Sequence, residues 1–142
     1  MREPDPAHWL YRFTPREWLR AALGELAQAK RAYASRNGRA GLAGCRRAAG
    51  VALNGWLATL DAPRESYGRS YMEHLAALAD DTGAPDEARV AARLLRQTPL
   101  PGGEIVALRT AMTDARALEA AETIMAHAYA EVVRAEPGEP VP

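Results

Sequence analysis

The residues of this chain best suited to chemistry lie in the run YGRSYMEH, which extends from Tyr67 to His74. If Ser70 caps a helix here, Arg69 and His74 flank its first turn beside backbone N–H groups that have no helical partner. A guanidinium, an imidazole and a helix N-terminus together attract an anion. The imidazole would act as general acid or base on a phosphodiester, and Arg69 would hold the charged oxygens. The opposing interpretation is a solvated Arg69 and a His74 that only lines the turn.

A second candidate is a cluster of basic side chains at the predicted turn between the first two helices. No acidic residue occurs between Glu25 and Asp61, whereas the arginines proposed to bind an anionic partner are Arg31, Arg36, Arg39, Arg46 and Arg47. Residues 1–70 hold twelve basic and six acidic side chains and residues 71–142 hold six and twelve, so the halves carry +6 and −6. The basic half suits nucleic-acid phosphates, although a bundle can also pair it with its own acidic helices.

Metal and cofactor chemistry is not expected. The three histidines, His8, His74 and His127, are far apart and lack carboxylates at metal-ligand spacing. The single Cys45 excludes an intramolecular disulfide and a cysteine-based zinc site. No glycine-rich loop with a lysine and no strand–turn–helix setting for a nucleophilic serine occurs. We interpret His127 as a half-buried, hydrogen-bonded imidazole of the last helix.

Length and composition predict one helical domain. The chain has 142 residues, of which 48% are hydrophobic, 25% are charged and 31 are alanine. This length suffices for a core without disulfides or metals, and the alanine excess favours helix over strand. The apolar runs are far shorter than the roughly 20 residues that cross a bilayer, and the N-terminus lacks a signal-peptide pattern. We therefore expect no membrane association and a cytoplasmic location.

The first helix has the clearest start signal. Thr14 and Glu17 have the spacing of a capping box, and Phe13 and Trp18 have that of a hydrophobic staple. Apolar side chains then recur at steps of three and four up to about Asn37. The predicted inward positions are Leu19, Leu23, Leu26, Ala29 and Tyr33.

The second helix, about residues 39–61, carries an apolar stripe with a flank of small residues. The stripe consists of Leu42, Cys45, Ala49, Ala52, Trp56 and Leu60. The flank holds Gly44 and Gly55, and each interior glycine costs about 1 kcal/mol relative to alanine. We therefore expect a neighbouring helix, in the same chain or in a partner subunit, to approach this flank closely.

The third helix is predicted to begin at Ser70, where Glu73 would complete a second capping box, and to end at Gly83. Its predicted inward positions are Tyr71, Met72, Leu75, Leu78 and Ala79.

A fourth helix follows from Pro85, and a last helix covers about residues 114–135, with residues 102–113 ambiguous. Short connections between such helices favour antiparallel neighbours. The sequence thus predicts an all-α antiparallel bundle of four or five helices over residues 14–135. Residues 1–13 and 136–142 are predicted to be irregular.

Two segments resemble HEPN domains. The run WLRAALGELAQAKRAYASRNGRAGLAGCRRAAGVALNGWLATL resembles their first two helices, and YMEHLAALA is similar to their third. The resemblance implies a bundle that commonly pairs as a homodimer, with functions from metal-independent ribonuclease toxins to inactive RNA-binding or nucleotide-associated modules. The ribonuclease members carry an arginine followed after four to six residues by histidine, a spacing that Arg69 and His74 match. Ser70 differs from the polar amide or acid that usually follows the arginine in that family.

Three functional hypotheses remain. The first is a dimerising interaction module without catalysis, whose partner is a second copy, RNA or another protein. The second is a metal-independent ribonuclease that uses Arg69 and His74 across a dimer cleft. The third is a nucleic-acid binder without catalysis that uses the arginines from Arg31 to Arg47, whose binding would weaken steeply with salt.

Overall fold

The computed structural model describes residues 8–99 and 107–137. Within them the chain forms five α-helices and no strand: α1 (Pro15–Ala34), α2 (Gly38–Leu57), α3 (Tyr71–Asp80), α4 (Asp86–Gln97) and α5 (Ala107–Ala135). Short 3-10 helices cover Trp9–Arg12 and Glu65–Tyr67. The prediction of an all-helical bundle is confirmed. The predicted irregular ends at residues 1–7 and 138–142, and residues 102–106 of the ambiguous segment, lie outside the described residues.

The start of α1 forms as its sequence predicts. Thr14 Oγ1 accepts a hydrogen bond from the Glu17 N–H at 3.1 Å, and the Glu17 carboxylate accepts one from the Thr14 N–H at 2.9 Å. The rings of Phe13 and Trp18 meet edge to face with centroids 4.8 Å apart. Trp18 Nε1 also donates to the carbonyl of the buried Leu10 at 2.8 Å, so the 3-10 helix before α1 is fastened to it.

The glycine-lined flank of α2 packs against α1 of the same chain. A Cβ atom added at Gly44 would lie 2.8 Å from the Cβ of Ala29, and one added at Gly55 would lie 3.0 Å from the Pro15 carbonyl oxygen. The predicted close approach is therefore confirmed, and the neighbour is an intrachain helix. Facing positions move in opposite directions along the two helices, so α1 and α2 are antiparallel.

The central helix of the bundle is α2. It packs against α1, α3, α4 and α5, and every residue from Ala48 to Leu57 is buried. That stretch, AAGVALNGWL, contains no charged side chain. A helix that is apolar on all sides must be surrounded by other elements, so α2 is buried well beyond the stripe and flank that periodicity indicates.

The last helix lies against both α1 and α2. Ion pairs join Arg16 to Glu136 at 2.7 Å and Lys30 to Glu122 at 3.6 Å. Because these contacts move in opposite directions, α5 is antiparallel to α1 and runs in the same direction as α2. Its core side consists of Ala117, Ala121, Ile124, Met125, Ala128 and Val132.

Three side chains predicted to face the core are exposed instead, namely Leu23, Tyr71 and Met72. Tyr71 and Met72 lie in the first turn of α3, although the Tyr71 ring still packs over the backbone of Gly50. Leu23 lies at the edge of the α1 stripe and lines an open groove between α1 and α5. Steps of three and four locate the centre of an apolar stripe, but the width of the buried strip depends on the neighbours.

Candidate functional site

The imidazole of His74 is enclosed in the core, with 0% of the residue exposed. Its Nδ1 lies 2.6 Å from the carbonyl oxygen of Tyr67, and its Nε2 lies 2.7 Å from the amide oxygen of Asn54. Asn54, the single polar residue in the buried stretch of α2, is itself 3% exposed. The ring therefore bridges the last turn of α2 to the loop before α3, and neither nitrogen faces solvent.

The surroundings of His74 favour the neutral form of its imidazole. Burial lowers the pKa of the imidazole, against the opposing effects of the Tyr67 carbonyl and the Glu73 carboxylate. A carbonyl can only accept, so Nδ1 carries the proton and donates to Tyr67. The remaining nitrogen of a neutral ring must accept, so we assign the Asn54 carboxamide, whose oxygen and nitrogen positions are interchanged by a flip of the amide, with its NH2 group toward Nε2. Both ring nitrogens are thereby used for internal hydrogen bonds.

Arg69 lies outside this enclosed site. Its guanidinium carbon is 5.9 Å from the centroid of the Trp9 ring, and that indole stacks on His74 with centroids 6.5 Å apart. The indole thus contacts both members of the predicted pair. The structure brings Arg69 and His74 to the same corner of the fold, but it does not present the two side chains to one shared cleft.

The loop that leads into α3 is held by a polar cluster centred on Asp81. One carboxylate oxygen of Asp81 accepts from the Tyr67 hydroxyl at 2.7 Å and from Arg64 at 3.2 Å, and the other accepts from the Gly83 N–H at 2.9 Å. Burial alone would raise the pKa of Asp81, but these donors hold it below its ordinary value. The cluster keeps the Tyr67 carbonyl in reach of His74.

Ser70 caps α3 with one of the two hydrogen bonds of the predicted capping box. Its hydroxyl accepts a hydrogen bond from the Glu73 N–H at 3.1 Å. The Glu73 carboxylate packs against Gly68 instead of completing the predicted second capping box. Gly68 has φ 65° and ψ −159°, a conformation open essentially to glycine alone. This backbone kink turns the chain so that the Tyr67 carbonyl points inward.

The five predicted phosphate-binding arginines divide into two groups. Arg46 donates to the carbonyls of Leu95 and Thr98, both at 2.9 Å, and so caps the C-terminal end of α4. Arg47 pairs with Glu25 at 2.7 Å. These two arginines stabilise the bundle.

The other three, Arg31, Arg36 and Arg39, are exposed around the turn between α1 and α2. They form no ion pair with the part of the chain that the structure describes. Arg36 adopts φ 60° at the end of α1. Only this smaller group is free to meet an anionic partner.

His127 lies in α5 beside the start of α4, at a pocket of about 300 Å³ that Thr123, Glu131 and Arg134 also line. Its Nε2 is buried without a hydrogen-bond partner among the described residues. The half-buried position agrees with the prediction. Burial lowers the pKa of His127, and the nearby Glu131 and Asp81 carboxylates oppose that effect.

The thiol of Cys45 is fully buried, 3.9 Å from the Tyr33 hydroxyl. Burial raises its pKa to about 11, so the nucleophilic thiolate is scarce at neutral pH. Across residues 8–99 and 107–137 no group of three His, Cys, Asp or Glu side chains is placed to hold a metal ion. No described helix is long and apolar enough to span a bilayer.

A groove of about 620 Å³ lies between α1 and α5 and is called here the α1–α5 groove. Its apolar walls are Leu19, Leu23, Leu26, Met125 and Tyr129, and Arg16, Arg20, Lys30 and Glu122 lie along its rim. Leu23 is 61% exposed and Tyr129 is 51% exposed. Apolar side chains surrounded by charges are typical of a protein-binding surface.

Sequence reasoning missed Trp9, Asn54 and Asp81, which fix the environment of His74. Asn54 does carry a signal, because a lone amide within an uncharged apolar run needs a buried partner. Trp9 and Asp81 have no such signal in the sequence, since their contacts join segments that are far apart in the chain.

Comparisons with family models, with curated proteins and with solved structures found no match to this chain.

Proposed function

We propose that this chain is a HEPN-like helical interaction module that dimerises and does not itself catalyse a reaction. The observation that carries the proposal is the α1–α5 groove, where Leu23 and Tyr129 are exposed at 61% and 51%. Apolar side chains displayed beside one another gain free energy when a partner covers them. The enclosed His74 supports the same conclusion, because an imidazole with both nitrogens occupied cannot exchange protons with a substrate.

The assembly half of the proposal is tested by sedimentation equilibrium of the purified chain over a wide concentration range. We expect a reversible dimer whose fraction rises with concentration. A single species of monomer mass at every concentration would contradict it.

The catalytic half is tested by incubating the protein with total RNA in EDTA, alongside a His74→Gln variant. Glutamine can donate and accept a hydrogen bond but cannot act as an acid or base near neutral pH. We expect no cleavage by either protein. Cleavage that the variant abolishes while its helical circular dichroism is unchanged would establish the ribonuclease alternative.

A second candidate function is nucleic-acid binding without catalysis, favoured by the three exposed arginines at the α1–α2 turn. Three phosphate contacts would give a slope of roughly −2 in a plot of log K against log salt for single strands. Fluorescence anisotropy with a labelled RNA oligomer measures this slope. Replacing Arg31, Arg36 and Arg39 by glutamine should remove this salt dependence. The matched control replaces Arg12, Arg93 and Arg96, which are exposed, lie outside the α1–α2 turn and form no ion pair with the described residues.

A further inference from the structure

We propose that this chain binds a small organic monocarboxylate in a pocket whose wall includes the stacked side chains of Trp9 and Arg69, called here the Trp9 pocket. The pocket has a volume of about 430 Å³ and lies between the 3-10 helix Trp9–Arg12 and the segment 58–70 that joins α2 to α3. Small-molecule sites in proteins have volumes of this order. The inference is separate from the proposed dimerisation, because no residue of this pocket lines the α1–α5 groove.

Part of the wall of the Trp9 pocket is apolar. Leu10 and Leu57 line it and are themselves 2% and 3% exposed, so they form its inner side. Ala62 and Pro63 line it as well and are exposed. A ligand with a hydrocarbon body gains free energy when it covers such walls, whereas an inorganic anion would leave them uncovered. The ligand therefore has an apolar body.

Two arginines supply positive charge to the same pocket. The guanidinium carbon of Arg69 lies 5.9 Å from the centroid of the Trp9 ring, and Arg69 forms no ion pair with the described residues. Arg64 is held by Asp81 at 3.2 Å and lies 5.4 Å from the centroid of the Trp56 ring. A guanidinium has more N–H donors than these contacts use. The remaining donors have the planar geometry that matches a carboxylate.

The charge balance of the pocket favours a ligand with one negative charge. Glu65 also lines the pocket, so its two arginines and one glutamate leave a single net positive charge. Asp81 already accepts a hydrogen bond from Arg64, which leaves Arg69 as the cation without an acidic partner. One carboxylate balances this guanidinium. A phosphate dianion would add a second negative charge beside Glu65 and Asp81, and the two acids would repel it.

Two aromatic rings of the pocket wall carry further N–H donors. His8 Nδ1 accepts a hydrogen bond from the Leu10 N–H at 3.2 Å, so the proton of a neutral ring is on Nε2. Trp9 Nε1 is buried and has no hydrogen-bond partner among the described residues. Buried indole N–H groups are usually paired in folded proteins. A carboxylate in the pocket would supply an acceptor that the described part of the chain does not.

The test titrates phenylacetate, a monocarboxylate with an apolar body, into the ¹⁵N-labelled full chain near neutral pH. Binding is followed through the cross-peaks of the Trp9 indole N–H and the Gly68 backbone N–H, since both residues line the pocket. We expect both cross-peaks to shift saturably while that of Gly24, in the middle of α1, stays in place. Phenylacetamide, which is neutral, and benzyl phosphate, which is a dianion, should each bind about tenfold more weakly.

Two variants locate the bound probe. Arg69→Gln removes the unpaired cation and should raise the dissociation constant of phenylacetate about tenfold. Ala62→Trp fills the pocket from an exposed position and should abolish the saturable shifts. The matched control is Arg93→Gln, which removes an exposed arginine of α4 outside the pocket and should leave the dissociation constant unchanged. Spectra of each variant without the probe show whether its fold is retained.

Each part of the proposal has an outcome that overturns it. Cross-peaks of Trp9 and Gly68 that do not shift in phenylacetate overturn the site. Binding that Arg69→Gln and Ala62→Trp leave unchanged places the probe elsewhere and overturns the site as well. Equal affinity for phenylacetamide overturns the anionic character of the ligand, and tighter binding of benzyl phosphate overturns its assignment as a monocarboxylate.

Discussion

The surroundings of His74 and the α1–α5 groove differ both in the chemistry of their residues and in their exposure to solvent. The first holds residue types that do chemistry, yet the ring is 0% exposed and both nitrogens are bonded internally. The second is lined by ordinary leucine, methionine and tyrosine side chains, yet Leu23 is 61% exposed. Access to solvent therefore decides whether a residue can act on a partner. A reactive side chain without access becomes part of the scaffold.

The most severe test of this comparison is His74→Ala. The substitution leaves the Tyr67 carbonyl and the Asn54 amide without partners and opens a cavity beside Trp9. We expect the free energy of unfolding to fall by about 3 kcal/mol or more. Urea denaturation followed by circular dichroism measures it. A loss below about 1 kcal/mol would mean that the imidazole is not a structural bridge.

The pH dependence of stability also tests whether His74 is enclosed in the core. Because burial lowers the pKa of His74, the unfolded chain binds a proton more readily than the folded one. The contribution of His74 to the free energy of unfolding is fully present above the pKa of histidine in the unfolded chain, near 6.5. It is lost as the pH falls below that value, by at most about 1.4 kcal/mol per pH unit. Denaturation at pH 7.5, 6.5 and 5.5 should show this decline. The His74→Gln variant should show a shallower one, and equal slopes would exclude His74 as the cause.

A smaller effect is expected at Arg46, which was predicted to bind phosphate but caps α4. Arg46→Ala frees the carbonyls of Leu95 and Thr98, and we expect a loss of about 1–2 kcal/mol. The control is Arg39→Ala, which removes an exposed arginine from the first turn of α2. It should change the free energy of unfolding by less than about 0.5 kcal/mol. Thermal unfolding measures the stability of both variants. Equal losses would show that Arg46 contributes no more to the fold than an exposed arginine does.

The smallest effect on folding is expected in the groove itself. Leu23→Asp removes little buried surface from the monomer, so its unfolding free energy should change by less than about 0.5 kcal/mol. The measurement is urea denaturation at concentrations where the wild type is monomeric. A loss comparable to that of His74→Ala would show that Leu23 belongs to the core and not to an accessible surface.

The helical class and most helix starts could be predicted from the sequence, because they depend on interactions between residues three and four apart. The capping box of Thr14 and Glu17 and the staple of Phe13 and Trp18 need no distant partner. The glycine flank of α2 likewise predicted close approach, since a cost in helix propensity must be offset by packing against a neighbour.

The role of each candidate residue, in contrast, depends on contacts between segments that are distant in the sequence. His74 is enclosed because Trp9, Asn54 and Tyr67 arrive from three separate segments, and Arg46 is a cap because the end of α4 lies beside it. These partners are far apart along the chain, and no spacing rule relates them. Gly24 and Gly44 are both interior glycines of helices, and the sequence does not distinguish them. Only the fold distinguishes the glycine that packs against a neighbouring helix from the one that faces open space.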